Sequence, residues 1–149
     1  MPSPSSKNLY TYKHRGWVFP TLGFALTVHD GALEESGGLP GIRDEGALLS
    51  ALEAPIRTAG GEDAYFTLFE KVAALGFLLA RNHPFSDANK RTSLLLMSQT
   101  LKWNAHYPKW SAETRIMVMS LLGAGHLEMA GLRHALLLGC GLDVADPAL

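Results

Sequence analysis

Eleven consecutive residues concentrate most of the reactive groups of this chain: Arg81, Asn82, His83, Pro84, Phe85, Ser86, Asp87, Ala88, Asn89, Lys90 and Arg91. They bring together an imidazole, a carboxylate, side-chain amides and three cations. Polar groups at the end of a core helix must be satisfied by each other, by water or by a ligand. His83 carries an imidazole, the side chain best suited to a general base at neutral pH. Asp87 has a plain reading as a helix N-cap and a sharper one as an oxygen ligand for Mg2+, which uses one carboxylate together with substrate phosphates. Lys90 and Arg91 fall in the first turn of the helix that starts near Ala88. There they oppose the helix dipole at a cost of about 0.3–1 kcal/mol per cation. A bound polyphosphate reverses that sign, since free N–H groups at a helix start attract anions. Arg91 offers a fork to phosphate oxygens and Lys90 a mobile point charge.

The elements that must position these groups are helical. A 3.6-residue pattern runs from Thr21 through Leu33 and stops at Gly37-Gly38. The run Gly37-Gly38-Leu39-Pro40-Gly41 is turn chemistry. Asp44 is a good cap for a short helix that Pro55 closes. Gly60-Gly61-Glu62-Asp63 marks a second polar loop, with a small hairpin expected near residues 58 to 66. A long helix is expected from about Phe66 to Arg81, apolar on nearly all sides, as befits the middle of a bundle. Further helices are expected from about Ala88 to Asn104, Ala112 to Leu122 and His126 to Leu138. The predicted fold class is all-α, a compact array of about six helices. Residues 1–20 read as an N-terminal arm, 21–140 as the domain and 141–149 as a tail.

Composition narrows the classes. At 149 residues and 47% hydrophobic, the chain suits one domain with one core. Thirteen Lys and Arg against fourteen Asp and Glu give a formal charge of −1, without the overall basic field of a nucleic-acid binder. No apolar run reaches about 18 residues, so no membrane helix is expected. The start, Met1-Pro2-Ser3-Pro4-Ser5-Ser6-Lys7, has no apolar h-region, and a cytoplasmic protein is expected. The lone Cys140, in an apolar run, reads as an inert thiol.

The nine residues from His83 to Arg91 resemble the signature of the Fic/Doc family, and specifically its death-on-curing (Doc) branch. The likeness extends to Val28-His29-Asp30, to Gly37 through Asp44, to Leu68-Phe69-Glu70 and to Thr92-Ser93-Leu94-Leu95, covering about residues 20 to 138. The resemblance implies an all-α enzyme that moves part of ATP onto a protein hydroxyl. It assigns His83 as the base, Asp87 as the Mg2+ ligand, and Asn89, Lys90 and Arg91 as phosphate-binding residues. It further implies that a flap, here 58 to 66, aligns the acceptor by strand addition.

Two departures select the branch. AMP-transferring members carry Gly-Asn-Gly-Arg with a second Arg three residues later. Here the run is Ala88-Asn89-Lys90-Arg91, and position 94 is Leu. Lys90 fills with charge the space a glycine leaves for phosphate. Doc toxins are similar at both places, which implies transfer of the γ-phosphate to elongation factor Tu, with AMP transfer as the alternative. The family's inhibitory helix, Ser or Thr followed after three residues by Glu-Gly or Glu-Asn, is missing, so restraint is expected from an antitoxin in trans.

His29-Asp30, with His14 and Asp87, forms a nominal set for a metal-dependent HD-type phosphohydrolase. A binding module that keeps the fold without the chemistry is a further alternative. His126 and Glu128 have no Cys-x-x-Cys beside them, which excludes a deaminase zinc site. Trp103, Tyr107 and Trp110 read as core packing, and His106 and His134 as surface or satisfied residues. Glu70 and Arg81 read as either buried partners or rim charges.

Overall fold

The computed structural model describes residues 9–149. Six helices carry the fold: α1 (Leu22–Ser36), α2 (Glu45–Glu53), α3 (Leu68–Asn82), α4 (Asn89–Trp103), α5 (Ala112–Gly123) and α6 (Met129–Gly139). Two short antiparallel hairpins accompany them, β1 (Thr11–His14) with β2 (Trp17–Pro20), and β3 (Thr58–Ala59) with β4 (Glu62–Asp63). The mostly helical class is as expected, and β3–β4 is the expected small hairpin. Among the described residues no helix is long and apolar enough to cross a membrane.

Four helices begin where a side chain can take a free N–H of the first turn. Thr21 accepts from Phe24, Asp44 from Ala47, Thr67 from Glu70 and Ser111 from Thr114. Glu70 adds a return bond, its carboxylate accepting from the Phe66 N–H at 3.2 Å, which settles it as a capping group. Helix α3 lies at the centre and packs against α2, α4, α5 and α6. Phe69, Val72, Leu75 and Leu79 are wholly buried along it. It meets α4 so closely that a Cβ on Gly76 would collide with the Met97 side chain. Ser93 completes that contact by donating to the Gly76 carbonyl at 2.7 Å.

Residues 11–20, read from the sequence as part of a loose arm, instead form the β1–β2 hairpin. Their pattern is too short to show a clear period, yet Tyr12 and Phe19 enter the main core. Asn104 at the end of α4 holds this hairpin by pairing with both the N–H and the carbonyl of Val18. Residues 1–8 of the expected arm lie outside the described residues. At the other end, Leu142, Val144 and Leu149 pack against the core, and Arg133 donates to the carbonyls of Asp146 and Leu149. Trp110 packs on the core and donates to the Ala135 carbonyl, and Trp103 meets Phe24, whereas Tyr107 is exposed. His106 lies edge-on to Phe69. Arg81, half-buried, sits over the ring of Phe77.

One charge lies fully inside. Lys71, on α3, has no exposure, and its ammonium donates to Asp63 at 2.7 Å and to the Pro55 carbonyl at 2.6 Å. Asp63 also accepts from His14 and Arg15, in the turn of the first hairpin. Donation from Lys71, then from Arg15, holds the Asp63 carboxyl well below the ordinary carboxylate range. Asp63→Ala leaves the Lys71 ammonium buried without its counter-charge and should cost about 3–5 kcal/mol in urea unfolding. Combining Lys71→Met with Asp63→Leu should cost less than either single change, and strictly additive losses would contradict the pairing. The folded state binds the Asp63 proton more weakly than the unfolded one does. Its contribution is therefore complete above the unfolded value of about 3.9 and is lost as pH falls below it toward the folded value.

Candidate active site

The break between α3 and α4 is held from three sides. Helix α3 ends on His83 in the left-handed region, at φ 47°, and α4 starts after Ala88, also left-handed at φ 62°. Between them the chain pairs with the turn segment before α2. The Pro84 carbonyl accepts from Arg43 and Asp44, Ser86 donates to the Gly41 carbonyl, and Phe85 bridges Ile42. The Arg43 guanidinium adds bonds to the carbonyls of Asn82 and His83. This is the physical use of the stretch Gly37 to Asp44.

Two buried polar side chains complete the hold. The Asn89 carboxamide accepts from the Phe85 N–H at 2.9 Å and donates to the Phe85 carbonyl at 3.0 Å. The His29 ring stacks on Phe85 with centroids 3.8 Å apart and donates through Nε2 to the Asp87 carbonyl at 2.9 Å. His29 thus belongs to the frame of the site, a role that its place on an apolar stripe did not disclose. His14, the other histidine of the HD-type set, is bound to Asp63. Among the described residues no group of three or more His, Cys, Asp or Glu side chains is placed to hold a metal ion, so that set is not assembled.

A concavity of about 260 Å3 opens on this frame, lined by His83, Ser86, Asp87, Ala88, Asn89, Lys90 and Arg91. The structure therefore gathers all five sequence-singled residues at one place, with different tasks. The His83 ring is exposed and makes no hydrogen bond among the described residues. The Asp87 carboxylate accepts from its neighbour Ala88 and from Leu39, not from a first-turn N–H of α4, so it is not that helix's cap. These two backbone donors, with Arg91 and His29 adding less, keep Asp87 below the ordinary carboxylate range. Ala88 occupies the N-cap position and has no side chain to offer. The N–H groups of Asn89, Lys90 and Arg91 are thus left without a partner among the described residues. Among the described residues four helices are capped by side chains; α4, like α6, is not, and its first turn carries two cations.

Lys90 is exposed, its stem lying against α5 where Gly123 leaves room. The reading of Asn89 and Arg91 as phosphate-binding side chains is modified. Both ends of the Asn89 amide bond Phe85, whereas its backbone N–H stays open at the start of α4. Arg91 donates to the carbonyls of Ala32 and Gly37, tying the end of α1 to the site. Two of its five donors are thereby used. Gly38 is required beside it: at φ 130° a Cβ would lie 2.8 Å from the Asp87 carboxylate.

A magnesium ion and a polyphosphate fit these donors. Bare N–H groups and Lys90 suit phosphate oxygens, and an ionised carboxylate whose oxygens each keep a lone pair suits a hard cation. Asn89→Ala strands the buried N–H and carbonyl of Phe85, so unfolding free energy should fall by about 1–3 kcal/mol in denaturant titration. An unchanged midpoint would show that the amide does not hold the loop.

Comparison with known proteins places the chain in a family. A family model described as the Fic/DOC family matches residues 19–101, which run from the end of β2 through nearly all of α4. "Toxin Doc" of Mycolicibacterium smegmatis (strain ATCC 700084 / mc(2)155) is 49% identical over 57 residues, 38% of this chain and 44% of that protein. "Protein kinase doc" of Escherichia phage P1 is 36% identical over 69 residues, 46% of this chain and 54% of that protein. The similarity thus spans about half the length of each relative. On the matched segment and the frame it builds around His83, the chain belongs to the Fic/Doc family.

Proposed function

We propose that this protein is the toxin of a toxin–antitoxin pair and transfers the γ-phosphate of ATP to a hydroxyl of an acceptor protein. The observation that carries the reading is one concavity shared by an unpaired imidazole, an ionised carboxylate and the uncapped start of α4 with Lys90 on its first turn. The names of the two relatives, a toxin and a protein kinase, support it.

In the proposed step the acceptor oxygen attacks the γ-phosphorus as the bond from that phosphorus to the β–γ bridging oxygen breaks. His83 takes the hydroxyl proton, and ADP leaves. The bare N–H groups of α4, with Lys90 and the remaining Arg91 donors, stabilise charge on the moving group. Such catalysis is positioning and electrostatics. Mg2+, held by Asp87 and the phosphates, supplies charge neutralisation when bound. The hairpin β3–β4 is the flap that receives an extended acceptor segment by strand addition. Among the described residues β3 and β4 pair only with each other, which leaves their outer edges for such a partner. The acceptor is elongation factor Tu, so that the reaction blocks translation in the cytoplasm, and an antitoxin chain restrains it.

The alternative, AMP transfer, uses the same anion site with ATP reversed. Lys90 in place of a glycine and Leu94 in place of a second Arg favour phosphoryl transfer. Purified protein, Mg2+ and elongation factor Tu, given ATP labelled at either the α- or the γ-phosphate, separate the two. Label should arrive from γ alone, and His83→Ala should reduce it by about 10²–10⁴-fold. Label arriving from α would replace this reading by AMP transfer.

A further inference from the structure

The fully buried Lys71 touches both flanks of the flap. Its Nζ donates to the carbonyl of Pro55, just before β3, and to Asp63, the last residue of β4. The base of the flap is closed by the Ala64 N–H donating to the Arg57 carbonyl at 2.7 Å. From the opposite side Arg15 donates to Asp63 at 2.7 Å and His14 at 2.9 Å. These two residues stand at the turn of the β1–β2 hairpin, 48 and 49 positions away in sequence. One carboxylate thus joins the flap, the central helix and the N-terminal hairpin.

Stability alone does not call for this arrangement, since a buried ion pair gains little over well-packed apolar groups of the same size. What it does supply is direction: charge-assisted bonds of 2.7 to 2.9 Å fix where Asp63, and hence the strand that carries it, must lie. Beside the clasp, Arg15, Glu62, Asp63 and Phe66 line a concavity of about 290 Å3. Phe66 is 61% exposed there, an apolar surface next to a strand with an open edge.

We propose that Lys71, Asp63, Arg15 and His14 are positioning residues for the acceptor, setting the flap at the height where an extended acceptor segment pairs with it and rests a side chain on Phe66. The N-terminal hairpin is then part of acceptor recognition, although it contributes nothing to the nucleotide concavity. This rests on the flap role assigned above and adds what holds the flap in place.

The test leaves the buried pair intact and changes only the two outer residues, in the full chain carrying Arg15→Gln and His14→Gln. Two readouts are taken: steady-state transfer from γ-labelled ATP to elongation factor Tu, and amide hydrogen exchange over residues 58–63. The expected result is a KM for the acceptor raised about tenfold, with kcat and the KM for ATP within about twofold. Exchange in the flap should quicken about tenfold while that of α3 stays unchanged. An unaltered acceptor KM, or an equal fall in kcat, overturns the positioning role whatever the exchange shows. If the unaltered protein labels no elongation factor Tu, the functional reading fails by itself. The exchange arm then decides the clasp: unchanged flap exchange overturns it, and faster exchange sustains it.

Discussion

The site depends on a backbone constraint at one place, the turn from α3 into α4. Two residues with side chains, His83 and Ala88, are held left-handed there. That conformation costs about 1–2 kcal/mol at each such residue. The surroundings must over-determine it, and they do so with bonds from Gly41, Arg43 and Asp44 on one side and from buried Asn89 on the other. His29 closes the third side against Phe85 and the Asp87 carbonyl. The result is that α4 begins with no side chain able to cap it. The N–H groups of its first turn are left without partners among the described residues.

Two polar assemblies divide the labour of the molecule. At the α3–α4 break, donors are left open and cations stand where the dipole disfavours them, which is tolerable on an exposed rim and useful to a polyphosphate. Around Asp63 the reverse holds: every partner is engaged, and a lysine without exposure is accepted because its charge is matched. The first assembly keeps donors open at the surface, and the second closes every bond around a buried charge. Arg91 links the site to α1 by its bonds to Ala32 and Gly37, so a residue that reads as a phosphate fork also secures the frame.

Much of this is legible in the sequence, for identifiable reasons. The helices are marked by their period and, for α2, by Asp44, whose capping bond depends only on a neighbour three residues away. The gathering of His83, Asp87 and Lys90 followed from their closeness in sequence. What stayed hidden depends on long-range pairing. Nothing local marks His29 as the partner of a carbonyl 58 positions on, or Lys71 as a buried charge rather than a rim one. The β1–β2 hairpin has four residues per strand, too few for alternation to emerge, and Asn104, 86 positions from Val18, docks it. The sequence places Asn89 beside His83 and Asp87, yet its amide turns back to the loop, a direction that spacing does not encode.

The claim on which the rest stands is that the uncapped first turn of α4 is where the nucleotide's phosphates bind. The most direct measurement is an amide NMR titration of the full chain with Mg2+ and ATP. The account predicts saturable shifts led by the backbone N–H signals of Asn89, Lys90 and Arg91, retained in His83→Ala and abolished by Lys90→Glu. Saturable binding that shifts other regions while those three signals stay in place would contradict it.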